Sequence, residues 1–176
     1  MARIAAEDSR ALRFLMDRHM GRTIRLAEGI LRSSAESEDV AQEAFVRVWR
    51  LAGSFDPRRG RFTTWLNRIV VNLSIDRLRK PRAEAMEAAD DIASGETDAL
   101  TRMISGEERR AVEAALAALP ERQRAAIALF HFEGLSGRDG AAAMDLGEKA
   151  FESLLIRARV SLREKVAVLL AEGRRR

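Results

Sequence analysis

Between Gly60 and Lys80 the chain reads GRFTTWLNRIVVNLSIDRLRK, a segment that interleaves aromatic and apolar residues with Arg, Asn and Lys at helical spacing. Phe62, Trp65 and Ile69 recur as an inward-facing stripe does, while Arg61, Arg68, Asn72, Arg77, Arg79 and Lys80 supply cationic and amide groups. Cations of this kind attract phosphates, and rings beside them stack or hold an unpaired base, so a single-stranded nucleic acid is a fitting ligand. An amphipathic helix whose charges are merely solvated carries the same pattern, and at this point both readings stand.

Charge along the chain is uneven in a way that the net value of +4 hides. From Arg58 to Arg82 eight basic residues accompany one acid, Asp76, and from Ala83 to Glu108 the sign reverses, with eight acids against Arg102. The C-terminal part turns basic again through Arg157, Arg159, Arg163, Lys165 and Arg174 to Arg176. Two cationic modules joined by an acidic strap suit a polyanion gripped at two separated places.

The elements that must position these groups are helical. Aromatic residues make up only 5% of the 176 residues, Tyr is absent, and Ala, Leu, Arg and Glu are abundant, which predicts an all-α fold. Apolar periodicity predicts a helix from Asp8 to about Leu31, with a possible interruption near Gly21. Ser33 or Ser34 then reads as an N-cap, with Glu36 placed as in a capping box, opening a helix from Ala35 to about Ala52. Gly53 to Gly60, with Asp56-Pro57, reads as a loop, and Thr63 to Leu78 as the third helix. Weak periodicity and many acids make Ala83 to Gly106 a linker. Beyond it lie helices from Glu107 to Leu119, from Pro120 to Glu133, from a Ser136 cap to Met144, and from about Glu148 to Leu170. The last two, joined by a turn at Asp145 to Gly147, form a candidate helix-turn-helix. Phe151, Leu155, Ala158 and Leu162 would face inward, leaving Lys149, Glu152, Ser153, Ile156, Arg157 and Arg159 to meet a major groove.

Enzymatic chemistry finds little support. The chain has no Cys, so neither disulfides nor thiolate metal sites can form, and His19 and His131 fit no zinc-site spacing. His131-Phe132-Glu133 has the H-x-E of zinc deaminases without their cysteines, and Gly147-Glu148-Lys149 reads as a turn and not a phosphate loop. No catalytic residue, metal site or cofactor is therefore expected. No apolar run approaches the roughly twenty residues of a membrane span, so a soluble cytoplasmic protein without membrane contact is expected.

Three blocks, in order, carry a family resemblance. AESEDVAQEAFVRVWR, Ala35 to Arg50, is similar to the pattern D-x-x-Q-E-x-F-x-x-x-W; RFTTWLNRIVVNLSIDRLR, Arg61 to Arg79, resembles F-x-x-W-L-x-x-I-x-x-N-x-x-x-D-x-x-R; and Leu119 to Lys165 resembles a closing L-P-x-x-x-R to R-A-R-x-x-L-R segment. Together they resemble the extracytoplasmic-function sigma factors of bacterial RNA polymerase. That resemblance implies a first module over residues 1–82, the acidic linker over 83–106 and a helix-turn-helix module over 107–176. It implies that Asp39, Gln42 and Glu43 dock on the clamp helices of the polymerase β′ subunit, with further contact to the β subunit. Arg61, Phe62, Trp65, Arg68, Asn72, Asp76, Arg77, Arg79 and Lys80 would recognise and melt the minus-ten element, with the Gly53 to Gly60 loop as the lip that holds a flipped base. Lys149 to Arg159 would read the minus-thirty-five element, and an anti-sigma factor is the implied regulator. The chain departs from the pattern at Gly140, where a branched apolar residue is common, at Asp145, where a turn Gly is usual, and at Glu152, where Lys or Arg is frequent. Gly140 permits either closer helix approach or a module ordered only on a partner. A conventional helix-turn-helix regulator that binds duplex DNA without polymerase remains the rival.

Overall fold

The computed structural model describes residues 1–80 and 106–173, and every regular element among them is helical. The expected acidic linker, apart from Gly106, and the terminal Arg174 to Arg176 lie outside the described residues. Among the described residues no helix is long and apolar enough to cross a membrane.

Local capping chemistry sets most helix starts. A single turn, α1 (Ala2–Ala5), absent from the sequence expectation, precedes α2 (Ser9–Leu31). Asp8 caps α2, its carboxylate accepting from the N–H groups of Arg10 and Ala11 at 3.0 and 3.1 Å. Such a cap contributes about 1 kcal/mol. Helix α2 runs unbroken through Gly21, so the interruption considered there does not occur, and it ends where Arg32 turns left-handed at φ 61°. Ser33 is the N-cap of α3 (Ser34–Leu51), accepting from the Glu36 N–H at 3.4 Å. The Glu36 carboxylate instead lies 3.6 Å from Arg77, on α4 (Phe62–Arg79). A 3-10 turn, Ala52–Ser54, opens the loop between α3 and α4.

The second group contains α5 (Gly106–Ala117), α6 (Glu121–Ile127), α7 (Gly137–Ala143) and α8 (Glu148–Gly173). The helix expected to run from Pro120 to Glu133 changes pitch at its end, where Ala128–Phe132 form a π-helical turn. Gly134, at φ 62°, then reverses the chain. Ser136 caps α7 by accepting from the Asp139 N–H at 3.1 Å. Gly140 has a packing reason: a Cβ there would stand 2.5 Å from the Phe151 ring of α8. The close approach of α7 to α8 therefore gives this glycine a structural reason.

The two groups share one continuous core. Leu26, Ile30, Phe45, Val48, Val70 and Val71 are fully buried in the first, and Leu129, Phe151 and Ala158 in the second. Each large apolar side chain buried this way contributes about 1.5–3 kcal/mol against exposure. Helix α2 packs on α6 and the π turn, and α4 packs on α6 and α7. At that seam a Cβ on Gly29 would stand 2.9 Å from the half-exposed Phe132 ring and 3.2 Å from the Ala128 Cβ, so glycine suits the close approach of α2 to the π turn.

Candidate nucleic-acid interface

Helix α4 is buried on most of its circumference, and its polar residues therefore sort by face. Arg61, Arg68, Asn72 and Arg79, spaced by seven, four and seven residues, share one exposed stripe, with Asp76 beside it. Two of these cations are paired: Arg68 with Asp145 at 2.7 Å, and Arg79 with Glu121 at 3.0 Å. Glu121 is held below the usual carboxylate range, first by its own backbone N–H and then by Arg79.

Arg77 faces elsewhere. Its guanidinium donates to Asp39 at 2.8 Å and lies 3.6 Å from Glu36, both on α3. Asp39, Gln42 and Glu43 are exposed on α3, and Val46 beside them is 42% exposed. A cleft of about 350 Å³ between α3 and α4 is lined by Asp39, Glu43, Arg47, Asp76, Arg77 and Lys80. The structure thus groups Arg77 and Lys80 with Asp39 and Glu43 of α3 and separates them from the Arg61 to Arg79 stripe.

Beside the stripe the loop is pinned by rings. Phe55 lies 5.5 Å from the half-buried Trp65 and 6.1 Å from Phe62, between ring centroids, and His19 of α2 lies 5.3 Å from Phe62. Such tilted and edge-on pairs add about 0.5–1.5 kcal/mol each beyond area burial. Ile69 is buried, but Phe62 and Trp65 only partly so, and their rings form a wall against the loop. Within the loop Asp56 accepts from Arg58 through both its side chain and its N–H, which lowers the carboxyl pKa and leaves Arg59 outward. Burial, followed by Arg18 and Arg22, lowers the pKa of His19.

On α8 the inward residues Phe151, Leu155 and Ala158 are buried and Leu162 is partly so, as the periodicity predicts. Lys149, Glu152, Ser153, Ile156 and Arg157 form an exposed face, Ile156 being 60% exposed. Arg159 sits at its edge and turns back, donating to His131 Nε2 at 3.1 Å and lying 5.0 Å from the centroid of the Phe130 ring. Burial, then the nearby Arg159 charge, lowers the pKa of His131.

Known proteins match both halves of this arrangement. Residues 15–84 match Sigma-70 region 2, and residues 109–162 match Sigma-70, region 4. The chain is 34% identical to the ECF RNA polymerase sigma factor SigM of Mycobacterium tuberculosis, over 92% of its own length and 80% of that protein's. The chain belongs to the extracytoplasmic-function (ECF) family of RNA polymerase sigma factors. It is likewise 32% identical to the RNA polymerase sigma-H factor of Pseudomonas aeruginosa, across 97% of this chain and 94% of that one. CnrH, solved in complex with the cytosolic domain of CnrY, superposes with a TM-score of 0.68 at 29% identity, covering 95% of this chain and 94% of CnrH.

Several residues that shape this sigma factor's face are invisible to helical periodicity. Phe55 and His19 build the aromatic wall, and the only hint was a large apolar side chain inside an otherwise polar turn sequence. Asp145 and Glu121, which hold the stripe, come from the other half of the sigma factor.

Proposed function

We propose that this sigma factor docks on core RNA polymerase through the α3 face of Asp39, Gln42, Glu43 and Val46, with Arg77 fixing the acids. Helix α4 then engages the melted minus-ten strand through Arg61, Arg68, Asn72 and Arg79, with the Phe55, Phe62 and Trp65 rings bracing the lip of the loop. Helix α8 reads upstream duplex through Lys149, Glu152, Ser153, Ile156 and Arg157. The modules divide at residues 1–82 and 107–176, with 83–106 as the connecting strap. The chemistry of RNA synthesis belongs to the polymerase, and this chain acts beside it in the cytoplasm, supplying promoter choice and strand opening.

The observation that carries this reading is the adjacency on α4 of a cationic stripe and a ring-braced loop, backed on α3 by an exposed acidic and amide face. Phosphates and unstacked bases need the first, and a protein partner recognised by polar pairing around an apolar centre needs the second. CnrH is solved with another protein's cytosolic domain, which supports a protein regulator here too, and we assign that role to an anti-sigma factor. Run-off transcription with purified core and a promoter library tests the whole: the chain should direct discrete starts only with core present. Tight duplex binding without core, and no starts with it, would favour a conventional regulator.

A further inference from the structure

Helix α2 carries an exposed cationic surface outside the faces assigned to core and DNA. Its exposed residues include four arginines, Arg10, Arg13, Arg18 and Arg25, against a single acid, Asp17. None of the four is ion-paired among the described residues, whereas Arg68, Arg77 and Arg79 of α4 all are. Like charges gathered on one helix repel one another, so the arrangement costs stability until an anion covers it.

Arg10, Phe14 and Arg18 recur every four residues and share one face of the helix. Phe14 is 63% exposed, more than any other large apolar side chain among the described residues, and the Arg18 guanidinium lies 5.2 Å from the centroid of its ring. This face runs on from the ring wall at the loop, because Arg18 is followed by His19, whose ring lies 5.3 Å from that of Phe62. Phe14 stands five residues before His19, about 7.5 Å along the helix axis. A group resting on Phe14 is therefore a near neighbour of one held at the loop.

A ring beside guanidinia is a platform on which a base stacks while the adjoining phosphates pair with the cations. Duplex DNA presents base edges and keeps its base faces stacked inside, so an exposed ring suits a single strand better. An acidic protein segment would satisfy the arginines but has no need of Phe14. We propose that the Arg10, Phe14 and Arg18 face of α2 is a second strand-binding surface. A base of the melted strand stacks on Phe14, and the phosphates beside it pair with Arg10, Arg13 and Arg18. The inference rests on the reading of α4 and its loop as the strand-binding face, and it extends that track onto α2.

The test is fluorescence anisotropy of labelled (dT)20 with the chain bound to core RNA polymerase, core alone giving the background. Phe14→Leu alters no charge and, the side chain being exposed, should leave the thermal unfolding midpoint in place. It should weaken (dT)20 binding about five- to tenfold, and Phe14→Trp should keep the unaltered affinity. Arg10→Ala, Arg13→Ala and Arg18→Ala together should reduce the slope of log affinity against log salt by about two. Unchanged affinity in Phe14→Leu, or an equal loss in Phe14→Leu and Phe14→Trp, overturns the stacking surface. Weaker association with core, with strand binding by the assembled complex unchanged, would make this face a protein contact and overturns it too. Arg61→Ala with Asn72→Ala separates the two failures. If that variant loses (dT)20 affinity and Phe14→Leu does not, the α2 surface falls and the α4 reading stands; if neither loses affinity, both fall.

Discussion

Helices α4 and α8 both carry residues suited to nucleic acid, but the molecule treats them oppositely. The stripe on α4 is crowded by the chain's own acids, whereas the outer face of α8 stands open, its polar contacts running one turn along the helix itself. Ser153 Oγ donates to the Lys149 carbonyl at 2.9 Å and Arg157 Nε to the Ser153 carbonyl at 3.3 Å. An exposed helix face can enter a major groove as it is, since duplex recognition asks only for projecting side chains. Strand capture as proposed for α4 asks for more, because Arg68 and Arg79 are paired with Asp145 and Glu121. On the proposed reading, α4 meets its ligand with two of its cations already paired, whereas α8 meets its own with an open face.

Arg124 is where that comparison breaks most readily, because it belongs to the second module and caps a helix of the first. Burial lowers its pKa, and three carbonyls accept from it. Arg124→Leu leaves those carbonyls without their donor, and a loss of about 3 kcal/mol in urea unfolding is expected. A loss under about 1 kcal/mol would mean that water replaces the guanidinium and that the cap contributes little to joining the modules.

Next comes the internal fit of the reader. Gly140→Ala gains up to about 1 kcal/mol of helix propensity but sets a methyl group 2.5 Å from the Phe151 ring, and overpacking of this kind costs about 1–3 kcal/mol. Net destabilisation is expected, with partial recovery when Phe151→Leu is added. If Gly140→Ala alone raised the unfolding midpoint, Phe151 would have room to move and the α7–α8 fit would be looser than it looks.

A smaller effect sharpens the contrast between the faces. Arg157 is exposed and points from an open helix, so Arg157→Ala should reduce the slope of log affinity against log salt by about one for duplex binding in the polymerase complex. Arg77 pairs with Asp39 on the face proposed to dock, so Arg77→Ala should weaken core association by about 1 kcal/mol, measured by fluorescence titration. If it lowered strand binding and spared core association, Arg77 would belong to the α4 stripe after all.

How much of this was legible in the sequence follows from the range of each interaction. The cap at Ser136 and the inward stripe of α8 depend on neighbours within one or two turns and are legible from spacing, which narrowed the α3 cap to Ser33 or Ser34 before the structure decided for Ser33. The polar set on α4 was legible as a composition but not as two faces, since Arg77 and Arg79 are two residues apart and meet acids from α3 and α6 respectively. Gly140 and Asp145 stood out only as departures from the family pattern, and Gly29 did not stand out at all. Each acquires its reason only from a group distant in the fold or chain: the Phe132 ring, the Phe151 ring and the Arg68 guanidinium. The π turn escaped notice for the same reason, because local apolar periodicity does not encode the extra residue that carries Phe132 toward α2.

The gentlest probe of the reader is protonation. His131 accepts from Arg159 Nε at 3.1 Å through Nε2, an arrangement that requires that nitrogen to be unprotonated. Burial holds its pKa below the ordinary imidazole value of about 6.5, and Arg159 adds to the shift. The unfolded chain therefore binds more protons than the folded one between the two values. Stability should be fully present near pH 7, fall as pH descends through about 6.5, and level off below the folded pKa. His19, whose pKa is lowered chiefly by burial, contributes with the same sign. Thermal unfolding between pH 5 and 7.5 should show a shallow decline that His131→Gln reduces but does not abolish, because Gln stays neutral while His19 still titrates. The decline is small since solvent screens a partly exposed ring. An unchanged slope in His131→Gln would assign the whole decline to His19 and detach Arg159 from any pH response, leaving the α8 face as indifferent to protonation as it is open to solvent.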